Sequence, residues 1–506
     1  MRLPRLALAA AAVVLVTAGA ASSQPPVPRP ELTGFRVENG NGPFAGDRPL
    51  LTTISPNGDG FRDRARIDFR LRDEATVTMT VLMTRDRHRA SPVLIRRYLL
   101  GPGPQTLAWD PILKRRPRTY LVRVGFASGR RTAVVRIQGV DAAFRRQSYR
   151  PGALARLSVS TDARSLRVEI VRAGDGSWSA APLDVVSASR SAPFAVPLRL
   201  GDWPSGVYLA RLTADDGRVG LATAVLRPRR LGEHRVAVVL PTFTWQAYNF
   251  QDVDGDGFGD TWYDRWRKSV QLGRHFVDGG TPPAFWRYDF PFLKWLARRG
   301  HAADYLADSD LARVSSGDSL RRLYDLIVFP GHHEYVTAHE YRVVERYRDL
   351  GGHLMFLSAD NFDWRVRRRG RRMIRVARFR KTGHPEAALV GVQYCCSDGG
   401  RRRRPWIVEH AERVPWLWDG TGLDDGARLA RGGIEIDRTT PASPRGTIVL
   451  ARLPHVVGRH TGEMTYYETR GGAEVFAAGA FTLAGAAGYP AVDQFLENLW
   501  TRLAGP

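Results

Sequence analysis

The sequence predicts a multidomain protein: two antiparallel β-sandwich domains, about residues 31–140 and 141–230, then an α/β domain with a mainly parallel sheet over 233–505. Three observations carry this expectation. The chain of 506 residues is longer than one ordinary core fills. Up to about Arg227, short runs of alternating apolar and polar residues are broken by turn residues, the pattern of half-buried antiparallel strands. From about Glu233, uninterrupted apolar runs alternate with helical spacing, the pattern of strands covered on both faces.

The N-terminus sets an expectation for the compartment. Arg2 and Arg5 precede an apolar run from Leu6 to Val16, followed by the small residues Ala18-Gly19-Ala20-Ala21. This is the grammar of a secretory signal peptide over residues 1–23, and the run is shorter than a membrane span needs. The expected location is secreted, extracellular or cell-wall associated, with no membrane span once the signal is removed. Lys and Arg total 75, of which only Lys114, Lys268, Lys294 and Lys381 are lysines, and the net charge is +24. Such a charge draws an exported protein to anionic cell-wall polymers or lipid headgroups. Nucleic acid is not expected as a partner, because no basic segment is interleaved with stacking aromatics. Cys395 and Cys396 are adjacent and alone, so they build neither a disulfide framework nor a four-ligand zinc site.

Within the first β segment, Ala65–Phe69, Val77–Leu82 and Tyr120–Val124 read as strands. The run Ile54-Ser55-Pro56-Asn57-Gly58-Asp59-Gly60 ahead of Asp63, with Trp109-Asp110 further on, resembles the immunoglobulin-like modules of the flagellar-hook-cap type. That resemblance implies an Ig-like sandwich. The second β segment contains Leu166–Val171 and Gly206–Thr213, turning at Asp215-Asp216-Gly217, and is expected to be a second Ig-like sandwich.

In the third segment, Val236–Leu240, Ala303–Leu306, Tyr324–Phe329 and Leu354–Ser358 read as strands, with helices around 290–300, 320–323 and 341–350 between them. The alternation predicts right-handed crossovers and a Rossmann-like, class I glutamine amidotransferase-like sheet. Further strands are expected near 447–451, 463–468 and 473–478, and a final helix over 492–503. No Gly-x-Gly-x-x-Gly or P-loop follows the first strand, so neither a dinucleotide nor an ATP site is indicated.

The strands end in unusual residues: Pro241 to Asn249 after the first, Gly331-His332-His333-Glu334-Tyr335 after a later one, Ser358-Ala359-Asp360-Asn361-Phe362 after the next. Ligands bind outside the carboxyl ends of parallel strands, so these ends define a candidate crevice. His332 and Glu334 are two apart and point to one side in extended backbone. No turn carries Gly-x-Ser-x-Gly, which argues against a nucleophile triad. Asp252, Asp254, Asp256 and Asp260, with Gly257 and the backbone carbonyl of Phe258, follow the positions of an EF-hand-type calcium loop, although position 12 is Tyr263.

Five blocks in the third segment carry a family resemblance: Pro-Thr-x-Thr-Trp-Gln-Ala-Tyr-Asn at 241–249, Tyr-Asp with Trp-Leu within 288–296, His-His-Glu-Tyr at 332–335, Gly-Gly-His-Leu-Met-Phe-Leu-Ser at 351–358, and Tyr-Tyr-Glu-Thr with Val-Phe-Ala-Ala-Gly-Ala-Phe within 466–481. Together they resemble the C-terminal domain of the N,N-dimethylformamidase large (beta) subunit. The resemblance implies a ferric ion held by two tyrosinates and a glutamate, which falls on Tyr248, Tyr288 and Glu334, with Tyr335 and Tyr263 as competitors for the place of Tyr288. It further implies His332 as an acid–base group, Asn361 as an amide donor to the developing oxyanion and Glu468 as a further acid–base group. The expected function is a secreted hydrolase of the C–N bond of a small amide or peptide-like substrate. The alternative is a non-catalytic extracellular binding protein with a degenerate site.

Overall fold

The computed structural model describes residues 32–111, 117–176, 182–277 and 279–505. The expected signal peptide, residues 1–23, lies outside the described residues.

The first segment pairs a three-stranded sheet (Leu32–Glu38, Ala65–Leu71, Gly103–Trp109) with a five-stranded one (Leu51–Ile54, Gly129–Ile137, Arg118–Phe126, Ala75–Asp86, Arg89–Leu100). Strict alternation along Ala65–Leu71 sends Ile67 and Phe69 inward and the charged residues Arg66 and Arg70 outward. The two inner faces meet in one core around Ile67, Val77, Val122 and the tilted Trp109–Tyr120 pair. The second segment repeats the plan with a five-stranded and a three-stranded sheet around Leu157, Val168 and Leu212. These sandwiches are consistent with Ig-like modules. The turn that carries the hook-cap resemblance is drawn together by Asp63, whose carboxylate accepts from the backbone of Asn57, Gly58 and Gly60. It joins the two sandwiches: Ser55 donates to Asp162 at 2.7 Å and Asn57 to Asp216 at 2.8 Å.

The third segment corrects the expected fold class. Its main sheet is not mainly parallel but mixed, with nine strands. Asp304–Ala307, Val236–Leu240, Leu326–Phe329, His353–Phe356 and Glu474–Ala477 pair in parallel. His460–Glu468, Ile448–Val457, Arg403–Val408 and Arg428–Gly433 then continue the sheet antiparallel. A separate four-stranded sheet (Ser269–Gln271, Arg372–Arg378, Trp364–Arg369, Tyr335–Thr337) lies beside it. With about 43% strand and 16% helix in many mixed and antiparallel sheets, the described residues form no mainly parallel Rossmann-like or amidotransferase-like domain. The reason is local. Apolar runs mark buried strands but not their direction. The Gly458-Arg459 turn, with Gly458 at φ +59°, closes a hairpin between two of the further strands and so makes them antiparallel.

Around the parallel half, odd and even strand positions feed two cores. Val238, Leu240 and Phe476 pack with Trp295 and Leu296 from the helix Phe290–Arg299 and with Phe495 from Pro490–Leu503. Ala237, Val239, Phe329 and Phe356 pack on the opposite face with Tyr341 and Val344 from the helix Ala338–Asp349. That helix starts in a reciprocal cap: Thr337 accepts from the Glu340 backbone at 3.2 Å, and the Glu340 carboxylate accepts from the Thr337 backbone at 2.6 Å. Phe329 is fully buried and stacked on Phe356 at 4.9 Å. Its truncation, Phe329→Ala, is expected to cost about 3–5 kcal/mol, read as a lowered urea midpoint.

Candidate metal centre

Leu326–Phe329 lies between Val236–Leu240 and His353–Phe356 with parallel neighbours on both sides, so three strands release their chains at one edge. The first leads through the short helix Thr242–Ala247 to Tyr248, the second to His332 and Glu334, the third to Asp360 and Asp363. Gly331 allows the close approach: a Cβ there would lie 2.6 Å from Asp289 and 2.8 Å from Pro241.

The Tyr248 hydroxyl donates to Glu334 Oε2 in close contact and lies 3.3 Å from the Tyr335 hydroxyl. The His332 ring stacks on Tyr248, with centroids 5.8 Å apart. Its Nε2 stands 3.0 Å from Glu435, 3.7 Å from Glu334 and 3.8 Å from Asp360. Two overlapping groups result, His332 with Asp360 and Glu435, and Glu334 with Asp360 and Asp363; the ligand atoms within each lie inside 4.8 Å of one another.

Glu334, Asp360 and Asp363 are buried, yet Asp360 Oδ1, Asp363 Oδ2, Glu435 Oε2 and His332 Nε2 have no hydrogen bond of good geometry. Such atoms are costly unless a charge answers them. Arg378 and Arg380 answer Asp363 at 2.8 and 2.9 Å. Burial, with Glu435 nearby, pushes the Glu334 carboxyl up against the opposing pull of His332. Burial and the Asp363 and Glu334 charges push Asp360 well above the carboxylate range. Burial alone would lower His332, but Glu435, Asp360 and Glu334 outweigh it and hold the imidazole well above its usual value. Burial, then the Glu334 charge, raises Tyr248 well above an ordinary phenol.

The backbone here is forced into left-handed conformations at residues that disfavour them: φ is +54° at Asp360, +61° at Phe362 and +76° at the β-branched Ile434. The strain is held by surrounding bonds. The Asp437 carboxylate accepts from the Asp360 backbone at 3.0 Å, and the Phe362 backbone donates to the His333 carbonyl at 2.8 Å.

The family model described as N,N-dimethylformamidase beta subunit-like, C-terminal, matches residues 187–493. The chain belongs to this family. No curated protein matches it. Among solved structures, native E. coli alpha-2-macroglobulin overlaps at TM-score 0.21 and 12% identity over 45% of this chain and 16% of that one. The titin domains Z1Z2 in complex with telethonin overlap at TM-score 0.14 and 16% identity, over 40% of this chain and 98% of that one. The chain thus spans about 16% of the length of the macroglobulin it overlaps, and likenesses this slight say nothing about its fold.

Of the residues that the dimethylformamidase-like resemblance singles out, Tyr248, His332 and Glu334 come together. Tyr288 lines the same cavity of about 230 Å³, with Tyr263, Glu435 and Phe481, but its hydroxyl accepts from Arg403 at 3.1 Å. Asn361 is buried with its amide engaged by backbone: Oδ1 accepts from His333 and Nδ2 donates to the Ser358 carbonyl. Glu468 is not brought to the site. It pairs with Glu474, which opens a strand parallel to His353–Phe356, and therefore sits at the opposite end of the sheet, accepting from Tyr466 at 2.8 Å. Sequence reasoning assigns no role to Asp360, Asp363 or Glu435. An acid set between Ile434 and Ile436 is the available signal for Glu435.

The acidic loop lies elsewhere, against the first sandwich. Asp252 accepts from the backbone of Gly255 and Gly257, and Asp260 from that of Val253. Ligand atoms of Asp252, Asp254 and Asp260 lie within 4.8 Å of one another, while Arg267 pairs with Asp254, Asp256 and Asp260. Phe258 packs on Leu51, Leu82, Leu121 and Val134, and the Gly257 carbonyl accepts from Thr84.

Burial pushes Asp437 up to about 8, against an unfolded value of about 4. Between these values the folded chain holds protons that the unfolded chain has released, so stability falls as pH rises through the interval. The protein kept in chelator is expected to lose melting temperature from pH 5 to pH 8, and Asp437→Asn to flatten that slope.

Proposed function

We propose that this chain hydrolyses the C–N bond of a small amide or peptide-like substrate, using a metal ion held by the Tyr248 oxygen and the Glu334 carboxylate. One observation carries the reading: a phenol in contact with a carboxylate at the end of a buried strand, beside a cluster of acids whose ligand atoms lie within 4.8 Å of one another. The donors are anionic hard oxygens, a set that fits a hard Lewis acid; the family resemblance favours iron(III). Tyr288 is the proposed third ligand by that resemblance, and the Tyr335 hydroxyl competes for the place by its proximity to Tyr248.

When bound, the ion supplies Lewis-acid activation of the amide and of water. The residues do the rest. A neighbouring cation reverses the penalty that keeps Tyr248 a neutral phenol. His332, kept protonated by Glu435 at 3.0 Å, would act as the general acid that gives its proton to the departing amine. Phe481 and Tyr263 wall the cavity, and its volume suits a small substrate.

Export is part of the same proposal. It is supported by the basic and apolar pattern of residues 1–16, and no described helix is long and apolar enough to cross a membrane. We also propose a structural calcium ion at Asp252, Asp254, Asp256, the Phe258 carbonyl and Asp260, supported by the spacing and by the clustered carboxylates.

Purified protein is expected to carry about one transition-metal ion per chain with a tyrosinate charge-transfer band, both lost in Tyr248→Phe and Glu334→Gln. Colourless protein free of transition metal overturns the hydrolase reading. His332→Ala should keep the metal while lowering kcat for amide cleavage by about 10²–10⁴. Calcium should raise the melting temperature of the parent but not of Asp252→Asn, and Arg267→Gln should bind it more tightly by removing the competing cation.

A further inference from the structure

A groove made of three adjoining cavities of about 490, 470 and 540 Å³ runs where the second sandwich meets the third segment, the first cavity being walled by the first sandwich as well, through Arg136 and Gln138. The first two share Arg145, Arg156 and Arg371, and the last two share Arg146 and Arg313, so the space is continuous. Arg368 lines the middle cavity as well. None of the lining residues belongs to the metal-site cavity.

Acids do not balance this groove. Among the described residues, Arg145, Arg146 and Arg156 have no carboxylate at ion-pair distance. Arg371 donates to the Leu272 and Gly273 carbonyls, and Arg368 lies over the Phe243 ring. Asp310 is the acid at one end, shared by Arg313 at 3.2 Å and Arg227 at 3.5 Å. Toward the other end lie Asp141, which faces His275 at 3.9 Å, and Asp252, whose carboxylate is engaged by the Gly255 and Gly257 backbone. A concave surface lined by one sign of charge concentrates its field and lowers the cost of bringing in an oppositely charged chain. Guanidinium groups also match phosphate and carboxylate geometry in paired bonds.

We infer that this groove binds an extended polyanion, a polymer with repeating phosphate or carboxylate groups, along the seam between the second sandwich and the third segment. Its length, three cavities in series, exceeds what a single phosphate would occupy. Nucleic acid is disfavoured because Tyr149, the aromatic side chain at the middle of the groove, is buried and its hydroxyl accepts from the Arg146 backbone, which leaves no stacking platform there. The groove places the metal-site segment on a polymer without using the metal site. The inference therefore stands or falls apart from the proposed reaction.

The test is binding of full-length mature protein to long-chain inorganic polyphosphate, followed by fluorescence anisotropy at two salt concentrations. The triple variant Arg145→Gln/Arg156→Gln/Arg371→Gln is expected to bind at least about tenfold more weakly with a shallower salt dependence. The charge-matched control Arg96→Gln/Arg97→Gln/Arg131→Gln, on exposed positions of the first sandwich, should change affinity less than about twofold. Arg156→Gln alone, at an exposed strand position, guards against misfolding of the triple variant and should weaken binding about threefold. Competition by polygalacturonate identifies a carboxylate polymer as the preferred ligand, and resistance to it identifies a phosphate polymer; either supports the site. Equal losses in the groove and control variants, tighter binding of single-stranded DNA of matched charge, or no binding at physiological salt each overturn it.

Discussion

The architecture of the third segment turns on one electrostatic constraint: acids from three chain segments are buried around a single imidazole. Glu334 and Asp360 lie within reach of His332, Asp363 adjoins those two acids, and Glu435 adds its charge from a distant part of the chain. Like charges so close cannot all be ionised in a low-dielectric site without a cation. Protons carry that role when no other cation does, which is why burial drives these carboxyls upward. A bound metal ion would replace those protons with a fixed charge. The left-handed backbone at Asp360, Phe362 and Ile434 is a further cost of aiming these side chains inward, held in place by the bonds to Asp437 and His333.

The scaffold that sustains this cost is a mixed sheet with apolar layers on both faces. Parallel pairing of Val236–Leu240, Leu326–Phe329 and His353–Phe356 aligns their ends, and the stacked Phe329 and Phe356 fix the strand spacing directly beneath the site. Glu435 arrives from outside the nine-stranded sheet, on the short strand Glu435–Arg438 that pairs with Gln393–Ser397, the segment containing both cysteines, in a two-stranded sheet. The acidic loop over 252–260 ties the first sandwich to the chain just after Tyr248. Gly257 makes this possible, since at φ +93° a Cβ would lie 2.4 Å from Leu121. The β modules are therefore packed onto the candidate site's own segment through named side chains.

Much of this architecture is legible in the order of the residues. The strands and most helices of the third segment follow from apolar periodicity, and the family follows from five blocks of residues in order. Tyr248, His332 and Glu334 are recognisable because each ends or follows an apolar run, where a polar side chain must have a reason to be buried. Glu468 shows where this logic stops. It lies in a family-like block beside a buried strand, yet the strand runs antiparallel and carries the carboxylate to the far end of the sheet. Periodicity reports burial and not direction, so a mixed sheet reads as a mainly parallel one.

The sequence by itself determined the membership of the family, the β-rich first half and the strand-end residues at the heart of the candidate centre. It could do so because those features are local, set by side-chain alternation and short spacings. Only the tertiary structure decided that Glu435, Asp360 and Asp363 complete the acidic shell, that Tyr288 turns its hydroxyl to Arg403, and that arginines from two segments line one groove. Those facts depend on strand direction and on which distant segments share an edge, and both are settled by long-range packing that no local pattern encodes.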